Sequence, residues 1–178
     1  MKSRNHIFRL LATFSATIAL AFASLAWAGP ASAASQNFEN AGLRDGYKLV
    51  CCSSDKANPV WLEQFANASW SVYHRGDTNG HSIVQMQSAD RPAAGCLDSH
   101  GNSAGGQVWV QACNSGDYQL WEVFHVSDSS QSYVVFKSRG AYTKQGKHLC
   151  IAGLKNGGIR EGIVLKTCNV NDVWQRFF

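Results

Sequence analysis

The sequence predicts an all-β domain built from three pseudo-symmetric lobes. Helical periodicity is scarce beyond the N-terminal segment, and short runs rich in Val, Ile, Trp, Tyr and Phe recur instead, as in residues 82–86 and 133–136. Such residues suit a pleated, half-buried surface. Clusters of Gly, Asn and Asp separate the runs, as in residues 77–80, and supply the positive φ angles of tight turns. A pattern of Cys and Trp that recurs along the chain predicts the three lobes.

The N-terminal segment has the three parts of a secretory signal. Lys2, Arg4 and Arg9 supply positive charge, residues 10–28 carry no charge, and small residues at 31–34 fit a signal-peptidase site. A membrane anchor is the alternative, but the stretch is short, rich in Ala, Ser and Thr, and followed by a cleavage-type sequence. We therefore expect residues 1–34 to be a signal peptide and residues 35–178 to be a secreted, extracellular domain without stable membrane insertion.

The charge counts argue against nucleic-acid binding. The full chain has 16 Lys and Arg residues, 12 Asp and Glu residues and a net charge of +4. Removal of the predicted signal peptide takes away three basic residues and no acidic one, which leaves a net charge of +1. Residues 132–178 nevertheless contain eight basic and two acidic residues. This uneven distribution either forms a solvated face or attracts an anionic partner at one end of the domain.

Two clear copies of a Cys–Cys–Trp pattern, and a weaker third copy, divide the mature chain. In the clear copies the two cysteines lie 17 and 18 residues apart, and the first Cys lies 25 and 24 residues before the Trp. These copies contain Cys96, Cys113 and Trp121, and then Cys150, Cys168 and Trp174. Trp70, which lies 51 residues before Trp121, marks the weaker copy. The spacing places the lobes at about residues 36–81, 82–131 and 132–178.

Three motifs of the second lobe resemble those of a known family. They are Cys96-Leu97-Asp98, Cys113-Asn114 and Gln119-Leu120-Trp121, which look like the Cys-x-Asp, Cys-Asn and Gln-x-Trp signatures of ricin B-type lectins. The resemblance implies a disulfide-stapled β-trefoil, with the family disulfides Cys96–Cys113 and Cys150–Cys168. One large aromatic residue from each lobe is expected to fill the centre of the domain, namely Trp70, Trp121 and Trp174.

Cys51 and Cys52 have no counterpart in the family pattern. All six cysteines lie in the predicted mature chain, and secretion favours their oxidation. The adjacent pair either forms a vicinal disulfide, stays reduced, or links this chain to another. We favour the first two alternatives over a link between chains.

The resemblance implies a carbohydrate site in the second lobe. In the family, a carboxylate and amides bind sugar hydroxyls while an aromatic ring stacks on the apolar face of the sugar. Here Trp109 and Gln111 have exchanged their usual places, and Tyr118 replaces the usual Asn. The expected binding residues are Asp98, Trp109, Gln111, Asn114, Tyr118 and Gln119. The alternative is structural, with Asp98 capping a turn and Trp109 packed against a loop.

The other two lobes depart from the sugar-binding pattern. The third lobe has Ala152 where the family has Asp, and Lys166 at the aromatic position. Lys155, Arg160 and Lys166 are instead candidates for contacts with an acidic sugar or an acidic protein face. The first lobe lacks a second Cys before Trp70, so we expect no standard sugar site there.

The expected function is that of a secreted, non-catalytic carbohydrate-binding module. The cysteines are expected to be structural, and the sequence has no His-Glu-x-x-His motif and no phosphate-binding loop. We therefore expect no enzyme activity, cofactor or metal. The expected partners are cell-surface glycans or polysaccharides.

Two other functions fit the same residues. The degenerate motifs resemble those of the ricin-like subunits of cytolethal distending toxins, which implies a binding or adaptor subunit that contacts other toxin or enzyme subunits of a secreted assembly. The lesser alternative is a hydrolase inhibitor, in which the exposed loop at residues 77–81 would enter a substrate cleft.

Overall fold

The computed structural model describes residues 33–43, 46–52, 58–157 and 159–178. The predicted signal peptide, residues 1–34, therefore lies outside the described residues except for its last two positions. Within the part of the chain that is described, no helix has the length and apolar character needed to cross a membrane.

Short strands dominate the described residues, as the recurring β-branched and aromatic runs predict. The strands are β1 Ala34–Gln36, β2 Tyr47–Cys51, β3 Asn58–Gln64, β4 Trp70–Thr78, β5 His81–Ser88, β6 Cys96–Asp98, β7 Trp109–Gln111, β8 Trp121–Ser127, β9 Ser132–Ser138, β10 Leu149–Leu154 and β11 Arg160–Thr167. Helix α1 spans Arg139–Gln145, and three 3₁₀ turns span Pro92–Ala94, Asp117–Gln119 and Val173–Gln175.

Eight of the described strands close into an antiparallel barrel. Neighbouring strands follow the order β5, β6, β7, β3, β11, β10, β9 and β8, and β8 pairs with β5 to complete the circuit. Three strands lie outside this circuit, because β4 and β1 extend the sheet beside β5 while β2 pairs with β3. Closure leaves no free edge among the eight barrel strands.

The strand pairing corrects the predicted fold. The all-β class is confirmed, but the β-trefoil with three pseudo-symmetric lobes is wrong, because the described strands form one closed eight-strand barrel with its additional strands unequally distributed. Helix α1 follows β9, and no other α-helix occurs among the described residues. The Cys and Trp spacing indicates where hairpins occur, whereas barrel partners depend on long-range backbone register, which spacing does not encode.

Trp70 and Trp121 lie in the core as predicted. Their exposed fractions are 1% and 0%, and each indole also satisfies a buried carbonyl. Trp70 Nε1 donates to the backbone oxygen of Leu49 at 2.9 Å, and Trp121 Nε1 donates to that of Leu97 at 3.1 Å. The two rings therefore combine apolar burial with a hydrogen bond that fixes their orientation.

The third predicted core aromatic, Trp174, is only half-buried, so that prediction is wrong. Its ring lies against Gly42, where an added Cβ would come within 2.8 Å of the indole. Phe177 occupies the interior instead, with no exposed area and its ring 5.9 Å from that of Phe136. Phe177 also exchanges backbone hydrogen bonds with Val134, which ties the C-terminal segment to β9.

The structure joins all six cysteines in three disulfides. Cys96 pairs with Cys113 and Cys150 with Cys168, which confirms the pairing that the resemblance implies. Cys51 and Cys52 form a vicinal disulfide. Of the alternatives for this adjacent pair, the intramolecular bond is therefore the one that the structure contains. The disulfides Cys96–Cys113 and Cys150–Cys168 each stabilise the fold by about 3 kcal/mol on the chain-entropy account.

The Trp121→Phe substitution should lower the free energy of unfolding by about 2–4 kcal/mol, because it leaves the Leu97 carbonyl without its buried donor and opens a small cavity. Urea denaturation followed by fluorescence measures the loss. Trp109→Phe is the control, since Trp109 is half-buried outside the core cluster and should cost under about 1 kcal/mol. Equal losses in both variants would contradict the structural role given to the Trp121 indole.

Candidate functional site

The short strands β6 and β7 bring three of the predicted sugar-binding residues onto one face. Asp98 lies directly opposite Trp109 in the antiparallel register, and Cys96 lies opposite Gln111. Leu97 and Val110, which alternate with these residues, point into the core cluster. Asp98, Trp109 and Gln111 therefore share the face that points away from the core, which we call the β6–β7 face.

Gln119 is a structural residue rather than an exposed ligand contact. Its side chain is fully buried. Its Nε2 donates to Asp98 Oδ2 at 3.1 Å and to the Ala112 backbone oxygen at 3.0 Å. Its Oε1 accepts from the Asn114 backbone N–H at 2.8 Å and from Gln85 Nε2 at 3.2 Å. Both donors and the acceptor oxygen of the amide are thus engaged within the protein.

Asp98 combines the two roles that the sequence left open. It is 5% exposed, and its Oδ1 accepts from the His100 backbone N–H, which is the turn-capping contact of the structural alternative. Its Oδ2 accepts from Gln119. Because each carboxylate oxygen has two acceptor positions, one remains on each oxygen. Asp98 therefore shapes the turn after β6 and still presents an acceptor edge.

His100 is the residue at this site that sequence reasoning missed. Its ring is exposed and its Nδ1 lies within hydrogen-bonding distance of Gln111 Nε2. His100 has a φ of 51°, a left-handed conformation that the cap from Asp98 supports. The Asp98-Ser99-His100 spacing of an Asx turn is the sequence signal that could have identified it.

Asn114 and Tyr118, the remaining two predicted sugar contacts, belong to neither β6 nor β7. Asn114 Oδ1 accepts from the Gly116 N–H at 2.7 Å, and Asn114 lines a shallow hollow of about 350 Å³ together with Arg75 and Gln85. The Tyr118 ring packs against Gly140, where an added Cβ would come within 2.2 Å of its Cδ1 atom. Both residues therefore organise turns.

Two other hairpins differ from β6–β7 at the positions that correspond to Asp98 and Trp109. In β2 and β3, Val50 lies opposite Trp61, and the nearby carboxylate is that of Glu63 on the same strand, which accepts from Trp61 Nε1 at 2.8 Å. In β10 and β11, Ala152 lies opposite Val164, which supplies neither group. Of these three hairpins, β6–β7 alone places an acidic residue directly opposite a large aromatic residue.

The three basic candidates do not form one cluster. Arg160 begins β11, where its Nε lies 3.5 Å from Glu63 Oε1 and its guanidinium lies 5.0 Å from the centre of the Trp61 ring. Lys155 lies just beyond β10 near the same end of the hairpin. Lys166 lies opposite Cys150, six residues along β11 from Arg160 and therefore about 20 Å away.

The exposed turn between β4 and β5 contains a pair of titratable side chains. His74 Nε2 lies 3.1 Å from Asp77 Oδ1, and the Ser82 hydroxyl donates to the same oxygen at 3.1 Å. The hydrogen bonds from His74 and Ser82 lower the pKa of Asp77 below its ordinary value. Among the described residues, no group of three or more His, Cys, Asp and Glu side chains is arranged to hold a metal ion.

Residues 101–105 have the Gly-x-Ser-x-Gly pattern that also occurs at the nucleophile of many hydrolases. In hydrolases this pattern forms a sharp turn between a strand and a helix. Here it lies in the exposed loop between β6 and β7, where Ser103 Oγ accepts from Lys147 Nζ at 3.0 Å. The strand-to-helix setting of the hydrolase motif is therefore lacking at this loop.

The fold is similar to those of two solved structures. A Polyporus squamosus lectin bound to the human-type influenza-binding epitope Neu5Aca2-6Galb1-4GlcNAc matches with a TM-score of 0.63 and 16% identity, over 83% of this chain and 48% of that chain. Cry35Ab1 matches with a TM-score of 0.57 and 13% identity, over 82% of this chain and 35% of that chain. The chain thus spans about half and about a third of the lengths of these two structures.

No protein-family model and no curated protein sequence matches the chain. One solved structure of similar fold is thus a lectin, while no family match bears on the resemblance inferred from the sequence. At these identities the likeness concerns the fold alone.

The Gln119→Ala substitution should lower the free energy of unfolding by about 3 kcal/mol, because it removes the partner of several buried polar groups. Gln111→Ala is the matched control, since Gln111 is half-buried and its change should cost about 0.5 kcal/mol or less. Chemical denaturation of the two variants compares them directly. A small loss for Gln119→Ala would contradict its structural assignment.

Proposed function

We propose that this protein is a secreted, non-catalytic glycan-binding module whose sugar site is the β6–β7 face. The observation that carries the proposal is the cross-strand register that places Asp98 directly opposite Trp109, with Gln111 two residues further along the same face. This combination of carboxylate, aromatic ring and amide is what sugar recognition requires.

The contacts of each group suggest how a sugar would bind. Trp109 would stack against the apolar face of a pyranose ring, and Gln111 and His100 would bind hydroxyl groups at its edge. Asp98 is largely buried, so it would accept a hydrogen bond from a sugar hydroxyl only at the acceptor position left on one of its carboxylate oxygens. Its contacts with His100 and Gln119 hold the carboxylate in place before the ligand arrives.

The structural comparison and the disulfides support this proposal. The Polyporus squamosus lectin was solved bound to a sialylated glycan epitope, and its fold is similar to that of this chain. The three disulfides are typical of an oxidising extracellular compartment. A binding function without catalysis accounts for a site that has acceptor, donor and stacking groups but no activated nucleophile.

A glycan array probed with the purified, disulfide-bonded protein tests the proposal. We expect Trp109→Ala to reduce binding at least about tenfold through the lost stacking area, and Gln111→Ala to reduce it about threefold to tenfold. Trp61→Ala is the matched control, because Trp61 has the corresponding position on β3 opposite Val50. It should leave binding within about twofold of the original value.

Two results would overturn the assignment. The first is wild-type protein that binds no glycan on an array of neutral and acidic structures. The second is loss of binding in Trp61→Ala with retention in Trp109→Ala, which would move the site to the β2–β3 hairpin.

A second candidate function is that of a binding subunit, and an exposed apolar pair favours it. Phe65 and Ile159 are 83% and 71% exposed. The Gln64 N–H donates to the Ile159 backbone oxygen at 3.3 Å, which places the two side chains at neighbouring points of the surface. Large exposed apolar residues that lie together mark interaction surfaces more often than chance exposure does.

The double substitution Phe65→Ser and Ile159→Ser tests the second function. If the surface binds another subunit, the wild-type protein should elute from its secreted source in a stoichiometric complex, and the double variant should elute as a monomer. Val170→Ser, at an apolar residue that is 40% exposed elsewhere, is the control. A wild-type protein that is monomeric in its native secretion would exclude this function.

A further inference from the structure

A groove separate from the β6–β7 face lies between β8, β9, helix α1 and the turn that joins β4 to β5. It has a volume of about 400 Å³, which is within the usual range of small-molecule sites. Glu122, Lys137, Phe124, Tyr142, His81 and His148 are the lining residues that matter here. We call it the α1 groove. Asp98, Trp109 and Gln111 do not line it.

A buried ion pair forms part of the groove lining. Glu122 on β8 lies directly opposite Lys137 on β9, and Lys137 Nζ lies 2.9 Å from Glu122 Oε2. Each side chain is only 9% exposed. Burial of two charges costs desolvation energy, and an apolar pair at this position would often be as stable. The polar pair is better explained if it serves a ligand than if it only stabilises the barrel.

Aromatic rings flank this ion pair on two sides. The His81 and Phe124 rings lie 4.1 Å apart, and the Tyr142 and His148 rings lie 4.9 Å apart. Lys137 Nζ lies between the two pairs, 5.6 Å from the Phe124 ring centre and 4.4 Å from that of Tyr142. Tyr142 is 47% exposed, so the part of its ring that Lys137 and His148 do not cover is available for stacking.

The charges around the α1 groove leave one positive charge in excess. Lys137 is paired with Glu122, and Asp117 lies 3.5 Å from Arg139 Nε and 3.6 Å from Lys144 Nζ. Of the charged side chains that line the groove, Lys137 and Arg139 are cations and Glu122 is a carboxylate, whereas Lys144 and Asp117 lie outside the lining. Arg139 lines the groove, and its buried Nε has only the long ion pair with Asp117, without a hydrogen bond among the described residues. One further carboxylate would balance these charges.

We propose that the α1 groove is a second saccharide site, selective for a pyranose that carries a carboxylate. The sugar ring would stack on Tyr142, and its carboxylate would pair with the Arg139 guanidinium while the Thr143 hydroxyl and the imidazoles bind hydroxyl groups. The inference rests on the proposed glycan-binding function but uses none of the residues of the β6–β7 face. It gives a ligand to two of the eight basic residues in residues 132–178, Lys137 and Arg139.

Titration with methyl β-D-glucuronide, and with methyl β-D-glucoside as the neutral counterpart, tests the proposal by NMR. We expect saturable shifts of the Lys137, Thr143 and His148 amides with the glucuronide, and affinity for the glucoside at least about fivefold lower. Tyr142→Ala and Arg139→Gln should each weaken glucuronide binding at least about fivefold.

Two control variants separate this site from general charge effects and from the β6–β7 face. Lys144 lies on the same helix and also pairs with Asp117, but it does not line the groove. The affinity of Lys144→Gln for the glucuronide should therefore stay within about twofold of the wild-type value. In Gln111→Ala, which weakens the β6–β7 face, the Lys137, Thr143 and His148 amides of the α1 groove should still shift and saturate with the glucuronide.

Four results would overturn the inference: no saturation up to about 50 mM glucuronide, equal affinity for the glucoside, equal losses in Lys144→Gln and Arg139→Gln, or loss of glucuronide binding in Gln111→Ala. Failure of the β6–β7 site would instead appear as unchanged array binding in Trp109→Ala. The two proposals therefore fail in different experiments.

Discussion

The buried amide of Gln119 is the interaction on which the arrangement of β6, β7 and the following turn depends. It reaches the Asp98 carboxylate, the Ala112 carbonyl, the Asn114 N–H and the Gln85 side chain from one position. Gln175 repeats part of this arrangement near the C-terminus, because its amide donates to the Thr167 carbonyl and accepts from the Asn169 N–H. Tight turns leave buried backbone groups that need polar partners, and both turns meet this need with a glutamine at the end of a 3₁₀ turn.

The same network determines which polar groups are left for a ligand. Gln119 is engaged on both ends of its amide, and Asn114 and Tyr118 are committed to turns and to packing against Gly140. The groups that remain accessible are at the edge of the network, on Trp109, Gln111 and His100. The candidate sugar site therefore lies where the buried hydrogen-bond network reaches the surface. The buried contacts of the network hold the accessible side chains in place.

Tyr118 connects the two candidate sites. Its ring packs against Gly140 of helix α1, which borders the α1 groove, and against Gly101 in the loop that follows β6. The Ser99 N–H also donates to the Tyr118 carbonyl at 3.0 Å, and the Ser99 and Ser138 hydroxyls lie 2.7 Å apart. Helix α1 and the turn after β6 are thus positioned by one shared set of contacts. The two candidate sites are therefore lined by different residues but held in place by the same contacts.

The sequence by itself determined the all-β class and the burial of Trp70 and Trp121, because these depend on residue type and local spacing. Its resemblance to the ricin B-type lectins implied the disulfides Cys96–Cys113 and Cys150–Cys168, which the structure contains. The sequence placed Trp174 in the core and proposed a β-trefoil, and both were wrong, because the Trp spacing does not show that Phe177 takes the interior place or that β8 returns to β5. Only the tertiary structure decided that Asp98 faces Trp109, that Gln119 is fully buried, and that Glu122 meets Lys137 between two aromatic pairs. Those contacts join separate strands, and the register between strands is set by the packing of the whole barrel rather than by any local run of residues.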